Sequence, residues 1–287
     1  MKFNDELQVL RAYAIIAVLL GHMSIMLPDF LMHGYSAVSL FFVLSGYLAA
    51  INFQYKYDGK KIKNCLIIKN EFLSKVFRLL PSMWIWILIY FFIGSFINYL
   101  GGSYGDTARW FGEIKHVLTG TYNYYLAALP IGGLIGQYWS LFVEIHFYIL
   151  FTILFILFKK RSQRLILSSV IIFLTTFIFR PLTEVGLIRY CTHTQLDALF
   201  AGVILGLVIH DKKEKIVISP FAKKFIMYVL LISLFILPYF LDSSWHPNFK
   251  YPLYTLLSVL IVWGGQTIQV GFGIMTIQEK LKNCLLT

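Results

Sequence analysis

The sequence has few charged residues for its length. Only 14% of its 287 residues are Asp, Glu, Lys or Arg, whereas 58% are hydrophobic and the mean hydropathy is +0.72. Soluble domains are about 25% charged, so this chain has too few polar side chains to cover a water-soluble fold of its size. The composition therefore predicts an integral membrane protein in contact with the lipid bilayer.

Cysteine is also scarce. The three cysteines, Cys65, Cys191 and Cys284, are far apart and form no C-x-x-C pair. A disulfide framework requires an even set of cysteines, and a zinc site requires closely spaced ligands. The sequence therefore predicts neither a disulfide framework nor a metal site.

Acidic residues are outnumbered by basic ones, with 14 Asp and Glu against 25 Lys and Arg and a net charge of +11. In a soluble protein, such an excess would suggest nucleic acid as a partner. Here the basic residues lie between long apolar runs, where Lys and Arg set the orientation of a membrane protein. We therefore expect no nucleic-acid partner.

Eight apolar runs are candidate membrane spans, for which about 20 residues are needed within a range of about 17–25, and the runs 165–181 and 195–210 are near the short end. They are residues 10–27, 34–53, 80–99, 138–158, 165–181, 195–210, 224–241 and 251–270. With a cytoplasmic N-terminus, 20 of the 25 Lys and Arg lie on the inner side, as the positive-inside rule requires. The predicted fold is an all-α transmembrane bundle of about eight spans, forming one domain over residues 1–287. Residues 120–137, rich in Gly and Tyr, are expected to be interfacial or re-entrant.

His22 is an ionisable residue within the first apolar run, where a charged side chain costs about 2.5–3.5 kcal/mol and therefore marks a candidate functional position. It follows Arg11 by eleven residues, and at about 100° per residue the two lie on nearly the same helix face. A hydrogen-bonded histidine that packs against another helix explains the position equally well.

Glu144 is the second candidate. Ser140, Glu144 and Tyr148 recur at four-residue intervals, so they line one face of a helix. The predicted depths of Glu144 and His22 agree, which would allow both to line one cavity. A neutral carboxyl packed against another helix is the structural alternative. His146 points to a different side of the same helix.

Lys75 and Arg78 lie three residues apart at the inner end of the third span and share a helix face. Such a pair suits a cytoplasmic phosphate. On their charge alone, however, the two residues are explained better as ordinary basic anchors at the inner membrane surface. Ser45 precedes a glycine, a pair common at close helix crossings. Because no nucleophile-elbow pattern surrounds it, we interpret Ser45 as lining a cavity.

Four segments resemble, in order, motifs of the acyltransferase 3 family. They are ELQVLRAYAIIAVLLGH, SAVSLFFVLSGYL, FLSKVFRLLPSMW and YWSLFVEIHFY, with TQLDALFAG as a weaker fifth segment. The resemblance extends from Glu6 to Gly202. Each segment is weak evidence alone, whereas four in the same order are specific.

The family consists of integral membrane enzymes that move an acyl group, often acetyl, from a cytoplasmic coenzyme A thioester to a hydroxyl of a glycan or lipid-linked sugar. The resemblance implies acyl-CoA, here acetyl-CoA, as a co-substrate, with no bound cofactor. It further implies a role in the polysaccharide biosynthesis of a cell envelope, and we expect a bacterial inner (plasma) membrane.

Residue by residue, the resemblance implies that His22 is the catalytic histidine and that Glu144 occupies the family's acidic position. Arg11, Lys75 and Arg78 match the basic positions that would bind the phosphates of the coenzyme. The remaining polar and aromatic positions are expected to line the cavity or to contact the acceptor: Ser45, Tyr138, Trp139, Ser140, Tyr148 and Asp197.

The chain also differs from the family pattern. Lys75 and Gln195 stand where the family commonly or often has arginine, the predicted spans are fewer than usual, and residues 270–287 match no family motif. An inactive, truncated family member is therefore one alternative. A proton-coupled transporter of small molecules, with His22 and Glu144 as the proton relay, is the alternative from another functional class.

Overall fold

The computed structural model describes residues 5–22, 36–102, 104, 107–129, 133–209, 216–241 and 247–270. Most of these residues are helical. The helices are α1 Asp5–His22, α2 Ser36–Tyr57, α3 Asn64–Tyr99, α4 Thr107–Leu118, α5 Tyr122–Ala128, α6 Trp139–Leu157, α7 Arg161–Leu174, α8 Arg180–Leu182, α9 Leu196–Ile209, α10 Pro220–Leu241 and α11 Pro247–Thr267. The predicted atypical C-terminal segment lies outside the described residues, except for its first residue.

Four helices in these ranges are long and apolar enough to cross a membrane. They are Ser36–Tyr57, Asn64–Tyr99, Gly136–Leu157 and Arg161–Leu182, and Leu196–Ile209 is a shorter apolar helix. The predicted class, an all-α membrane bundle, is confirmed, whereas the number of spans and the side of the N-terminus stay predictions.

The helix that contains the third predicted span begins well before the apolar run. The sequence placed it at residues 80–99, but α3 starts at Asn64 and carries Pro81 in its interior. The basic residues before Pro81 are good helix formers, and a proline is tolerated inside a membrane helix when its surroundings satisfy the freed backbone groups. Lys75 therefore lies well inside a long helix.

The segment expected to be interfacial or re-entrant contains the short helix α5 and a 3-10 turn at Gly136–Tyr138. The preceding helix α4 was not predicted, because its residues mix charged and apolar side chains and form no span-length apolar run. A short parallel strand pair, Ile216–Ile218 with Ile268–Val270, was also not predicted.

Helices α2 and α9 meet at the centre of the bundle through glycines. A Cβ atom at Gly46 would lie 1.8 Å from the carbonyl oxygen of Leu199, and one at Gly202 would lie 2.1 Å from that of Val43. Small residues allow two membrane helices to approach this closely. The close crossing indicated by the Ser45–Gly46 pair is thus present, and it fixes the position of Ser45.

One end of the bundle is rich in lysine and arginine, and we call it the basic end. It comprises the connections from α2 to α3 and from α6 to α7. Arg164 joins the two connections through paired bonds to Asp58 at 2.6 and 3.0 Å, and its guanidinium packs on the ring of Phe155. The segment 183–195, between α8 and α9, lies at the opposite end.

Candidate functional site

Glu144 is the centre of a buried polar cluster. Its side chain is on α6 and is 2% exposed. The Ser45 hydroxyl on α2 donates to Glu144 Oε1 at 2.7 Å, and the Tyr148 hydroxyl, one helical turn further along α6, donates to the same oxygen at 2.8 Å. A carboxylate oxygen can accept both bonds. Residues 99 positions apart in the sequence thus meet at one carboxyl oxygen.

Lys75 extends this cluster to a third helix. Its ammonium nitrogen lies 3.9 Å from the centre of the Tyr148 ring, which is within the range of a cation–π interaction. The ring contacts Lys75 while its hydroxyl binds Glu144, so Tyr148 joins the two charged residues. We call Ser45, Lys75, Glu144 and Tyr148 the Glu144 cluster.

Burying the carboxyl of Glu144 is unfavourable in free energy, so the groups around it must compensate. A buried carboxyl without hydrogen bonds would destabilise the fold by several kcal/mol, and a fully satisfied one costs far less. Two hydroxyl donors and a nearby ammonium group offset the cost of burying Glu144. These groups come from three helices, α2, α3 and α6, each of which contains one of the motif segments.

His22 is the last residue of α1, and its side chain lies outside the described part of the structure. Helix α1 packs against α2, the helix that carries Ser45, and against α11, and its residues Ala14 and Ala17 are buried. Arg11 is half-buried on α1. The side chain of Arg78 also lies outside the described part, although its backbone belongs to α3.

Tyr138 and Trp139, which were expected to line the cavity or to contact the acceptor, are buried. Tyr138 donates its hydroxyl to the carbonyl oxygen of Met83 at 3.2 Å, and Trp139 packs edge-on against Phe42 and Tyr190. These contacts favour a packing role over stacking with a solvent-borne sugar. Ser140, on the same helix, bonds to the carbonyl oxygen of Gln137 at 3.5 Å and does not join the Glu144 cluster.

Asp197 lies in a second buried polar cluster. It pairs with Arg180 at 2.8 Å, and both side chains are at most 3% exposed. Arg180 also donates to the carbonyl oxygen of Thr194 at 2.7 Å, and Thr255 donates to Asp197 at 3.5 Å. Opposite charges in a low-dielectric interior stabilise each other strongly. Arg180 is therefore the counter-ion of Asp197, and the spacing of these residues in the sequence did not indicate this pair.

Glu113 is a buried carboxyl that sequence analysis did not select. It accepts hydrogen bonds from the backbone nitrogens of Leu134 and Ile135, at 2.7 and 3.2 Å, and from the Tyr122 hydroxyl at 3.1 Å. Burial, together with the charge of Glu113, raises the pKa of the Tyr122 hydroxyl. Glu113 thus fastens the segment before α6 to α4. The only sequence signal was its four-residue spacing from Arg109.

His146 faces away from Glu144, as the helix spacing predicted. Its Nε2 bonds to the carbonyl oxygen of Gly120 at 2.8 Å, so this nitrogen carries a proton. In the neutral ring, Nδ1 then accepts the Thr192 hydroxyl at 2.7 Å, and that oxygen accepts the Asn123 amide at 3.0 Å. This chain of bonds joins α5, α6 and the turn before α9, which is a structural role.

A crevice of about 570 Å³ lies between α3, α6 and the end of α4. Its lining is mostly aliphatic and aromatic, and Lys75 and Tyr148 form part of its wall. The crevice is therefore adjacent to the Glu144 cluster. In the ranges that the structure describes, no group of three or more His, Cys, Asp or Glu side chains is placed to hold a metal ion.

Comparison with known proteins gives matches in sequence. A family model described as an acyltransferase domain matches residues 4–283. The peptidoglycan O-acetyltransferase OatA of Listeria monocytogenes is 24% identical over 257 residues, which cover 83% of this chain and 40% of the relative. Two putative O-acetyltransferases of Staphylococcus aureus, SAS0844 and SAR0937, are each 25% identical over 221 residues, covering 72% of this chain and 35% of each relative.

The chain thus spans two fifths or less of the length of these curated relatives. No solved structure is significantly similar to it. The family match and the apolar helices together identify an integral membrane protein.

Proposed function

This chain belongs to the acyltransferase 3 family, and from that premise we propose that it is a membrane O-acetyltransferase that acts on a sugar of the cell envelope. The names of its relatives support acetyl as the transferred group, and the name of the peptidoglycan O-acetyltransferase supports a glycan as the acceptor. The observation that carries the proposal is the Glu144 cluster. It joins side chains from three family motifs at one buried carboxyl.

The proposed donor is acetyl-coenzyme A from the cytoplasmic side. Lys75, Arg78 and Arg11 are the candidate ligands of its phosphates, because guanidinium and ammonium groups form charge-assisted bonds with phosphate oxygens. Lys75 is well suited to this role because its ammonium group lies against Tyr148 of the Glu144 cluster. A bound donor would thereby lie next to the Glu144 cluster.

We propose that His22 acts as a general base or carries the acetyl group transiently. As a base, its imidazole accepts the proton of the acceptor hydroxyl while that oxygen attacks the thioester carbonyl. The carbon–sulfur bond then breaks, and the coenzyme leaves as a thiolate that takes up the proton from the imidazolium. Glu144 would orient the imidazole and stabilise its positive charge, with Ser45 and Tyr148 holding the carboxylate in place.

The reaction is tested with membranes that contain the protein, labelled acetyl-coenzyme A and a cell-envelope glycan fraction. We expect label to enter the glycan with the wild-type chain and not with His22→Ala. Glu113→Gln is a matched control, because it alters a buried carboxyl outside the proposed site and should leave transfer by the inserted protein intact. Transfer by His22→Ala at the wild-type rate would exclude this mechanism.

A further inference from the structure

We propose that the crevice between α3, α4 and α6 binds one hydrocarbon chain of an anionic phospholipid whose headgroup lies at the basic end. The crevice adjoins the Glu144 cluster, with which it shares Lys75 and Tyr148, but the hydrocarbon chain takes no part in acetyl transfer. Its lining side chains are apolar apart from a few polar groups, chiefly Lys75, Tyr148, Thr152 and Glu71. A volume of about 570 Å³ is within the range of small-ligand sites.

The crevice opens on the outer flank of the bundle. Ile68 and Phe72 on α3, and Ile149 and Ile153 on α6, are each roughly half exposed although they line it. In a membrane protein, such a flank is in contact with lipid chains. The turn that follows α4, at Thr119 and Gly120, forms part of the remaining wall.

The length of the crevice matches one leaflet. Its lining runs from Ile68 to Leu80 on α3, about 18 Å at 1.5 Å per residue, and from Phe142 to Ile153 on α6, about 17 Å. The hydrocarbon core of a bilayer is about 30 Å thick, so the chains of one leaflet occupy about 15 Å of depth. On both helices the lining begins about 6 Å from the terminus at the basic end.

The excess of positive charge at the basic end favours an anionic headgroup. Residues 54–71 and 158–164 contain nine Lys and Arg but only Asp58 and Glu71 as acids. Both acids already pair with basic residues, Asp58 with Arg164 and Glu71 with Lys56. Clusters of basic residues next to membrane spans attract anionic lipids. A chain that descends from such a headgroup would enter the crevice at Ile68 and Ile153.

The test uses the full chain in nanodiscs with a phospholipid that carries a diazirine on its acyl chain, either phosphatidylglycerol or phosphatidylcholine. We expect adducts on the crevice faces of α3 and α6. The anionic probe should label about fivefold more than the zwitterionic one, the ratio that one basic residue near an anionic surface provides. Equal labelling by the two probes would overturn the headgroup assignment and with it the proposal.

Two variants locate the site. Ile149→Trp places a large ring in the crevice and should reduce these adducts, whereas Leu256→Trp, at a similarly exposed position on α11, should not. Adducts spread evenly over the exposed helices, or unchanged by Ile149→Trp, would contradict a defined site. Displacement of the probe by acetyl-coenzyme A would reassign the crevice to the donor and also overturn the proposal.

Discussion

Replacing Tyr148 by phenylalanine separates two of its contacts, those with Glu144 and with Lys75. The substitution removes the hydroxyl that donates to Glu144 Oε1 at 2.8 Å and keeps the ring that lies 3.9 Å from the Lys75 ammonium. A hydrogen bond to a charged group contributes about 1.5–3 kcal/mol. If Glu144 supports the transition state, the loss of this bond should lower kcat by about 10- to 100-fold, since about 1.4 kcal/mol corresponds to tenfold.

The assay is acetyl transfer by the purified protein over a range of acetyl-coenzyme A concentrations. Tyr148→Phe should lower kcat and leave KM for the donor nearly unchanged, because the contact with Lys75 remains. Tyr148→Leu should lower kcat and raise KM. If Tyr148→Phe kept the wild-type kcat, or raised KM as much as Tyr148→Leu, the role assigned to Tyr148 would be wrong.

Tyr122→Phe is the matched control for stability. Tyr122 also donates a buried hydroxyl to a glutamate, Glu113, at 3.1 Å, but it lies outside the Glu144 cluster. Both substitutions should lower the unfolding temperature, because each leaves a carboxyl with one donor fewer. Only Tyr148→Phe should lower kcat of the folded protein.

Three further predictions follow from the packing and the charges. Asp197→Ala should destabilise the protein by about 3–5 kcal/mol, because it leaves Arg180 buried without its counter-ion; the double variant Arg180→Met/Asp197→Leu should lose less in denaturant unfolding. Gly46→Ala should lower the unfolding temperature strongly, since its Cβ would overlap a carbonyl oxygen of α9, whereas Gly136→Ala meets no atom within 4 Å and should not. Lys75→Met should raise KM for acetyl-coenzyme A by about tenfold, the loss of one charge-assisted contact, whereas Lys75→Arg should retain the wild-type KM; equal kinetics for these two variants would refute phosphate binding.

Helix periodicity correctly placed part of the Glu144 cluster. The four-residue spacing put Glu144 and Tyr148 on one face, and the structure joins them by a hydrogen bond. Ser140 shares that face but bonds to a backbone carbonyl near the start of the helix. Spacing describes the directions of side chains along one helix, and it does not specify which partner each side chain meets.

The contacts between helices were less accessible to sequence analysis. Ser45 was expected to line a cavity, but its bond to Glu144 depends on the close crossing of α2 with α9, which sets the position of α2 in the bundle. The pairing of Arg180 with Asp197 likewise requires the chain to turn between α8 and α9. Such pairs are set by tertiary packing, which a single sequence does not encode as a local pattern.

The sequence did not indicate Glu113 for a different reason. An ionisable residue inside an apolar span indicates a function, because burying its charge in the membrane is unfavourable. Glu113 lies on α4, whose mixed composition predicts a surface position, yet it is fully buried by the segment before α6. Its partners are two backbone nitrogens of that segment, and their approach depends on the path of a loop.

The most direct test of an active centre at Glu144 is acetyl transfer by Glu144→Gln in reconstituted proteoliposomes. Glutamine preserves the size of the side chain and accepts the hydroxyls of Ser45 and Tyr148, but it removes the negative charge. We predict an inserted, folded protein that binds acetyl-coenzyme A with the wild-type affinity and transfers acetyl at a rate lower by two or more orders of magnitude, as for the loss of a preorganised electrostatic contact. A Glu144→Gln variant that transfers acetyl at the wild-type rate would contradict a catalytic role for this carboxyl.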